Sequence, residues 1–107
     1  MSKSILVVTN APDSDVAYKM ARKLLEGKLA ACVNVLPSVL SIYRWQGAIE
    51  EAVEVTLFIK TSDSLYRELE ATIVELHPYD VPEIIALPIS AGLPAYLAWI
   101  DTETRKD

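Results

Sequence analysis

The feature that most constrains the fold is an alternation of side-chain character between residues 49 and 60. Odd positions there are apolar and even positions are polar or small, with Glu51 and Phe58 as the two interruptions. A period of two predicts a β-strand with one buried face. This strand would be longer than the usual length of about 5–6 residues.

A second extended segment, residues 29–45, precedes the first and is separated from it by Gln46 and Gly47. A tight turn at these two residues would join the segments into a long hairpin. Pro37 and Ser38 interrupt the earlier segment, and because proline has no N–H to donate to a neighbouring strand, we expect a bulge or bend there. The hairpin is too long for the rest of a 107-residue chain to cover.

The remaining patterns predict two more strands and the first helix. Apolar runs predict strands at residues 4–9 and 83–89. Amphipathic spacing predicts a helix that begins at an Asp13 N-cap and ends at Gly27.

Two further helices follow the hairpin. Ser62 or Ser64 is expected to cap a second helix, whose apolar stripe runs over residues 65–76. Residues 92–100 predict a short third helix, and residues 102–107 a polar tail.

The predicted order is strand–helix–strand–strand–helix–strand, with a helix at the C-terminal end. Two split strand–helix–strand units with right-handed crossovers form one antiparallel four-stranded sheet. The expected fold is therefore α+β and ferredoxin-like, in a single domain over residues 1–107. Both main helices should cover one face of the sheet and leave the other face without a helix, open to association with another chain.

Composition narrows the possible function classes. The formal net charge is −5, which disfavours binding to nucleic acid. One cysteine cannot form an internal disulfide, so a reducing, cytoplasmic environment is the simpler expectation. We find no apolar stretch that approaches the ~20 residues of a membrane span, and expect no membrane association.

Four segments in order, spread between Val7 and Ile100, resemble CutA, the divalent-cation tolerance family. They are Leu29-Ala-Ala-Cys-Val-Asn34, Ser41-Ile-Tyr-Arg-Trp-Gln-Gly47, His77-Pro-Tyr-Asp-Val-Pro-Glu-Ile84 and Gly92-Leu-Pro-Ala-Tyr-Leu-Ala-Trp-Ile100. The resemblance implies a cytosolic homotrimer similar to the PII signalling proteins, in which the long central strands pair between subunits. It also implies a link to copper and other divalent ions.

Tyr43 and Trp45, near the hairpin tip, support a trimer on separate grounds. Left in water on a monomer, these rings would expose apolar area worth roughly 25 cal/mol per Å². A trimer interface that includes Tyr43 and Trp45 would bury that area.

The candidate metal ligands are His77, which is the single histidine, and Cys32, which is the single cysteine. His77 could instead bond to the Pro78 loop and fix a helix end, and Cys32 could be a small buried apolar residue. One Cys and one His cannot complete a transition-metal site in one chain. Copper-associated members of the family can carry a cysteine where this chain has Thr9 and a histidine where it has Leu76. We therefore expect at most weak binding of copper or zinc.

A ligand cleft lined by Trp45, His77, Tyr79 and Glu83 is the favoured small-molecule site, because these residues lie at the ends of predicted elements. The acidic residues Glu50, Glu51 and Glu54 are expected to be mostly solvated.

No nucleophile–base pair, phosphate loop or dinucleotide motif is visible, so we expect neither catalysis nor an organic cofactor. Two alternatives remain open. One is a PII-like signalling trimer that binds a metabolite between subunits. The other is a small phosphatase on the same scaffold, for which residues 10–13 offer no arginine.

Overall fold

The structure, a computed structural model, describes residues 2–105. The observed element order confirms the predicted one. The elements are β1 (Ser4–Ala11), α1 (Ser14–Glu26), β2 (Cys32–Trp45), β3 (Ala48–Ser62), a 3₁₀ turn (Asp63–Leu65), α2 (Tyr66–Leu76), β4 (Ile84–Pro88) and α3 (Pro94–Glu103).

The four strands form one antiparallel sheet in the order β2-β3-β1-β4, as expected for the ferredoxin-like arrangement. β1 pairs with β3 from Ser4 opposite Ser62 to Ala11 opposite Val55. The residues of β3 before Val55 pair with β2 alone. The outer part of the β2–β3 hairpin therefore extends beyond the end of β1.

The turn and the bulge of this hairpin are both where the sequence predicts them. Gln46 and Gly47 have φ values of 49° and 82°, the left-handed backbone of the tight turns that match strand twist. Pairing along β2 passes from Leu36 directly to Val39, and Ser38 has a φ of 61°. The predicted irregularity at Pro37 and Ser38 is therefore a β-bulge.

The core lies between the sheet and helices α1 and α2. The Asp13 carboxylate accepts a hydrogen bond from the Val16 N–H at 2.9 Å, which confirms the predicted N-cap of α1. The largest fully buried apolar side chains of this layer come from both helices and the sheet: Val7, Met20, Leu24, Leu57, Ile59, Leu69 and Ile73.

Helix α3 covers part of the opposite face of the sheet, which we call the outer face. This face of the sheet carries the side chains of Leu6, Val8, Asn10, Thr56, Phe58 and Lys60. Lys60 Nζ lies 5.8 Å from the centre of the Tyr96 ring, and the Ser62 and Thr104 hydroxyl oxygens are 3.0 Å apart. Because side chains alternate along a strand, Lys60 and Ser62 lie on the opposite face of β3 from Ile59, which packs in the core. The expectation that no helix covers this face is therefore wrong.

Three local predictions also need correction. Neither Ser62 nor Ser64 caps α2; the Ser62 hydroxyl contacts Thr104 instead. Gly27 ends α1 with a φ of −85°, and the left-handed position belongs to Lys28, with a φ of 57°. The predicted polar tail is helical up to Glu103, and Thr104 is buried; residues 106 and 107 lie outside the described part.

Candidate functional site

An open groove of about 620 Å³ lies between the projecting part of the hairpin and the loop that follows α2. Trp45, Tyr79 and Glu83, three of the four residues proposed for a ligand cleft, line this groove. The fourth, His77, is buried beneath it.

The register of the hairpin determines which side chains form one wall of the groove. Tyr43 lies opposite Glu50, and Trp45 lies two residues further along the same strand. Because side chains alternate along a strand, Tyr43, Trp45, Glu50 and Glu54 share one face. All four line the groove.

Glu54 is the residue that sequence reasoning assigned wrongly. Expected among the solvated carboxylates, it is only 8% exposed, whereas Glu50 and Glu51 are exposed as predicted. The Tyr79 hydroxyl donates a hydrogen bond to Glu54 Oε2 at 3.0 Å. Burial, followed by this bond and the charge of Glu54, raises the pKa of Tyr79 to about 12, so its phenol is a neutral donor at physiological pH.

Asn10 joins three elements at the floor of the groove. Its Oδ1 accepts a hydrogen bond from the Thr56 hydroxyl at 2.6 Å, and its Nδ2 donates to Glu83 Oε1 at 2.9 Å. The amide therefore orients Glu83. The sequence predicts a strand that ends at Thr9 and places Asn10 beyond it, since nothing local indicates these two long-range partners.

His77 fixes the loop to the end of β1 through both ring nitrogens. The Tyr79 N–H donates to His77 Nδ1 at 3.2 Å, so Nδ1 is the acceptor and the proton lies on Nε2. Nε2 then donates to the Asn10 carbonyl oxygen at 2.6 Å. The rings of His77 and Tyr79 are also in contact, with centroids 4.6 Å apart. A metal ion at His77 would have to displace one of these hydrogen bonds.

Cys32, the other proposed metal ligand, lies far from His77. It is half-buried and lies opposite Lys60 of β3. Asn10, whose carbonyl is hydrogen-bonded to His77, lies opposite Thr56 of β3. Four residues along β3 correspond to roughly 13 Å. Within residues 2–105, no three or more His, Cys, Asp or Glu side chains are grouped so that they could hold a metal ion.

The two positions at which copper-associated relatives can carry ligands also lie outside the groove lining. Thr9 is fully buried on the core side of β1, and its hydroxyl has no hydrogen-bond partner among the described residues. Leu76 is partly exposed at the end of α2. Neither residue lines the groove.

Comparison with known proteins gives a consistent result. The model of the family described as "CutA1 divalent ion tolerance protein" matches residues 5–103. The chain is 44% identical to the divalent-cation tolerance protein CutA of Thermus thermophilus over 92% of its own length and 96% of that protein. It is 42% identical to the chloroplastic protein CutA of Arabidopsis thaliana, but spans only 56% of that longer protein.

Solved structures extend this similarity to the fold. A crystal structure of CutA from Xylella fastidiosa superposes with a TM-score of 0.94 at 43% identity, and the match covers 97% of this chain and all of that one.

Proposed function

The chain belongs to the CutA1 divalent ion tolerance family, and from this premise we propose that it acts as a homotrimer in tolerance of divalent metal ions, copper among them, without catalysing a reaction. The observation that carries the proposal is the projecting hairpin with its exposed aromatic wall. The groove beside that wall is the proposed ligand site.

Exposed aromatic rings on the hairpin support the homotrimer. Tyr43 and Trp45 are 43% and 50% exposed in the single chain, although both are large apolar side chains. They lie on the part of the hairpin that β1 does not flank. Contact with two further copies would remove this area from water and would cover the free edge of β2.

The outer face of the sheet offers a second apolar surface for the same contact. Ile85 and Leu87 of β4 pair with Val8 and Leu6 of β1, and both β4 side chains are about half exposed. Contiguous exposed apolar area of this kind is typical of subunit interfaces.

The residues of one chain do not fit a closed transition-metal site. Both His77 nitrogens are hydrogen-bonded within the chain, and Cys32 lies near the opposite end of the sheet. We therefore propose that copper or zinc binds weakly, and that tight binding requires ligands from more than one subunit. Three chains with a net charge of −5 each would also concentrate cations at the surface at low salt.

We propose the absence of catalysis and of an organic cofactor because the His77 ring is buried and hydrogen-bonded. This histidine is buried, and its ring nitrogens already serve the loop and β1, so it cannot readily act as a general base in the groove. The matches reported above are all to CutA proteins, which does not favour the alternative of a PII-like signalling role.

A cytoplasmic location is likewise a proposal. Between residues 2 and 105, no helix combines the length and apolar character needed to cross a bilayer. One relative, the Arabidopsis protein, is named as chloroplastic, so members of the family do not all share one compartment.

Native mass spectrometry with and without Cu²⁺ or Zn²⁺ tests assembly and metal binding together. We expect a mass of three 11.8 kDa chains and metal adducts that are lost at physiological ionic strength. A Cys32→Ser variant, which removes the single thiol of the chain, is the matched control and should leave the adducts unchanged. A monomer would refute the proposed assembly, and a stoichiometric ion that survives salt would refute weak binding.

A further inference from the structure

We draw no further inference here: the strongest candidate, the exposed apolar face of the projecting hairpin that bears Leu40, Ile42 and Val53 on the side opposite Tyr43, carries nothing because no feature of the structure shows what covers it.

Discussion

The Tyr79 hydroxyl donates a hydrogen bond to Glu54 Oε2 across 3.0 Å, and this bond connects the loop after α2 to β3. The two residues are 25 positions apart in the sequence, and both line the groove. The bond therefore holds together the two walls of the proposed site.

Replacement of Tyr79 by Phe removes this bond and leaves the buried Glu54 carboxylate without its donor. We expect the free energy of unfolding to fall by about 1–2 kcal/mol, measured by urea denaturation. Tyr66→Phe is the control, because the Tyr66 hydroxyl donates to Glu70 on the exposed surface of α2. That variant should lose about 0.5 kcal/mol or less, and equal losses would contradict the special role of the Tyr79 bond.

Alkaline pH should destabilise the protein through the same tyrosine. The pKa of Tyr79 is raised to about 12, mainly by burial, against about 10 in an unfolded chain. The folded state thus favours the neutral phenol, so the stabilisation is complete below pH 10 and falls as the pH rises from 10 toward 12. Unfolding free energies measured across this range should fall less steeply for Tyr79→Phe than for the unaltered protein. Parallel curves would rule out Tyr79 as a contributor.

Loss of the His77 ring should loosen the attachment of the loop to β1. The His77→Ala change leaves the Asn10 carbonyl and the Tyr79 N–H without their partner, at a site that is 7% exposed. We expect a loss of about 2–3 kcal/mol in unfolding free energy. Val81→Ala, an exposed position in the same loop, should stay within about 0.5 kcal/mol. A His77→Ala protein as stable as this control would show that the ring does not hold the loop.

Polar substitutions on the hairpin wall should dissociate the proposed trimer. Light scattering at micromolar concentration should give the mass of three 11.8 kDa chains for the unaltered protein. The Tyr43→Ser, Trp45→Ser double variant should give one chain, since it removes the main apolar contact. Val74→Ser, an exposed apolar position on α2, serves as the control and should remain trimeric. Unchanged mass in the double variant would place the interface elsewhere.

The end of α1 offers a stabilising change. Lys28 occupies the left-handed position after the helix, where its N–H donates to the Leu25 carbonyl and the next N–H, of Leu29, donates to the Leu24 carbonyl. This pattern normally places glycine at the left-handed position. Lys28→Gly should therefore raise the free energy of unfolding by about 0.5–1 kcal/mol.

Lys23→Gly, inside the last turn of α1, is the matched control for that change. It should lower the unfolding free energy by about 1 kcal/mol, because glycine disfavours the helix interior. If both glycines destabilise the protein equally, the conformation of Lys28 does not limit its stability.

Features set by neighbouring residues were predictable from the sequence. Alternation along residues 49–60 identifies β3, and Asp13 caps α1 because the donor it serves is three residues away. The bulge at Pro37 follows from the missing N–H of proline. Each of these depends on local chemistry alone.

Features set by distant partners were not predictable in the same way. β1 continues through Asn10 and Ala11 because β3 supplies pairing residues there, which overrides the local turn tendency. Glu54 is buried because a loop far along the chain covers it. The position of α3 was missed because its apolar residues form no single stripe, so the sequence does not show which face of the sheet it covers.

The bulge in β2 has a consequence for how this segment can vary. Three steps along β2, from Leu36 to Val39, match two steps along β3, from Thr56 to Glu54. The extra residue decides on which side of the ribbon Tyr43 and Trp45 emerge. Removal or addition of one residue between Leu36 and Tyr43 would turn both rings away from Glu54, whereas a change by two would restore them. Evolution can therefore alter the length of this stretch in even steps, and an odd step requires a bulge to be gained or lost with it.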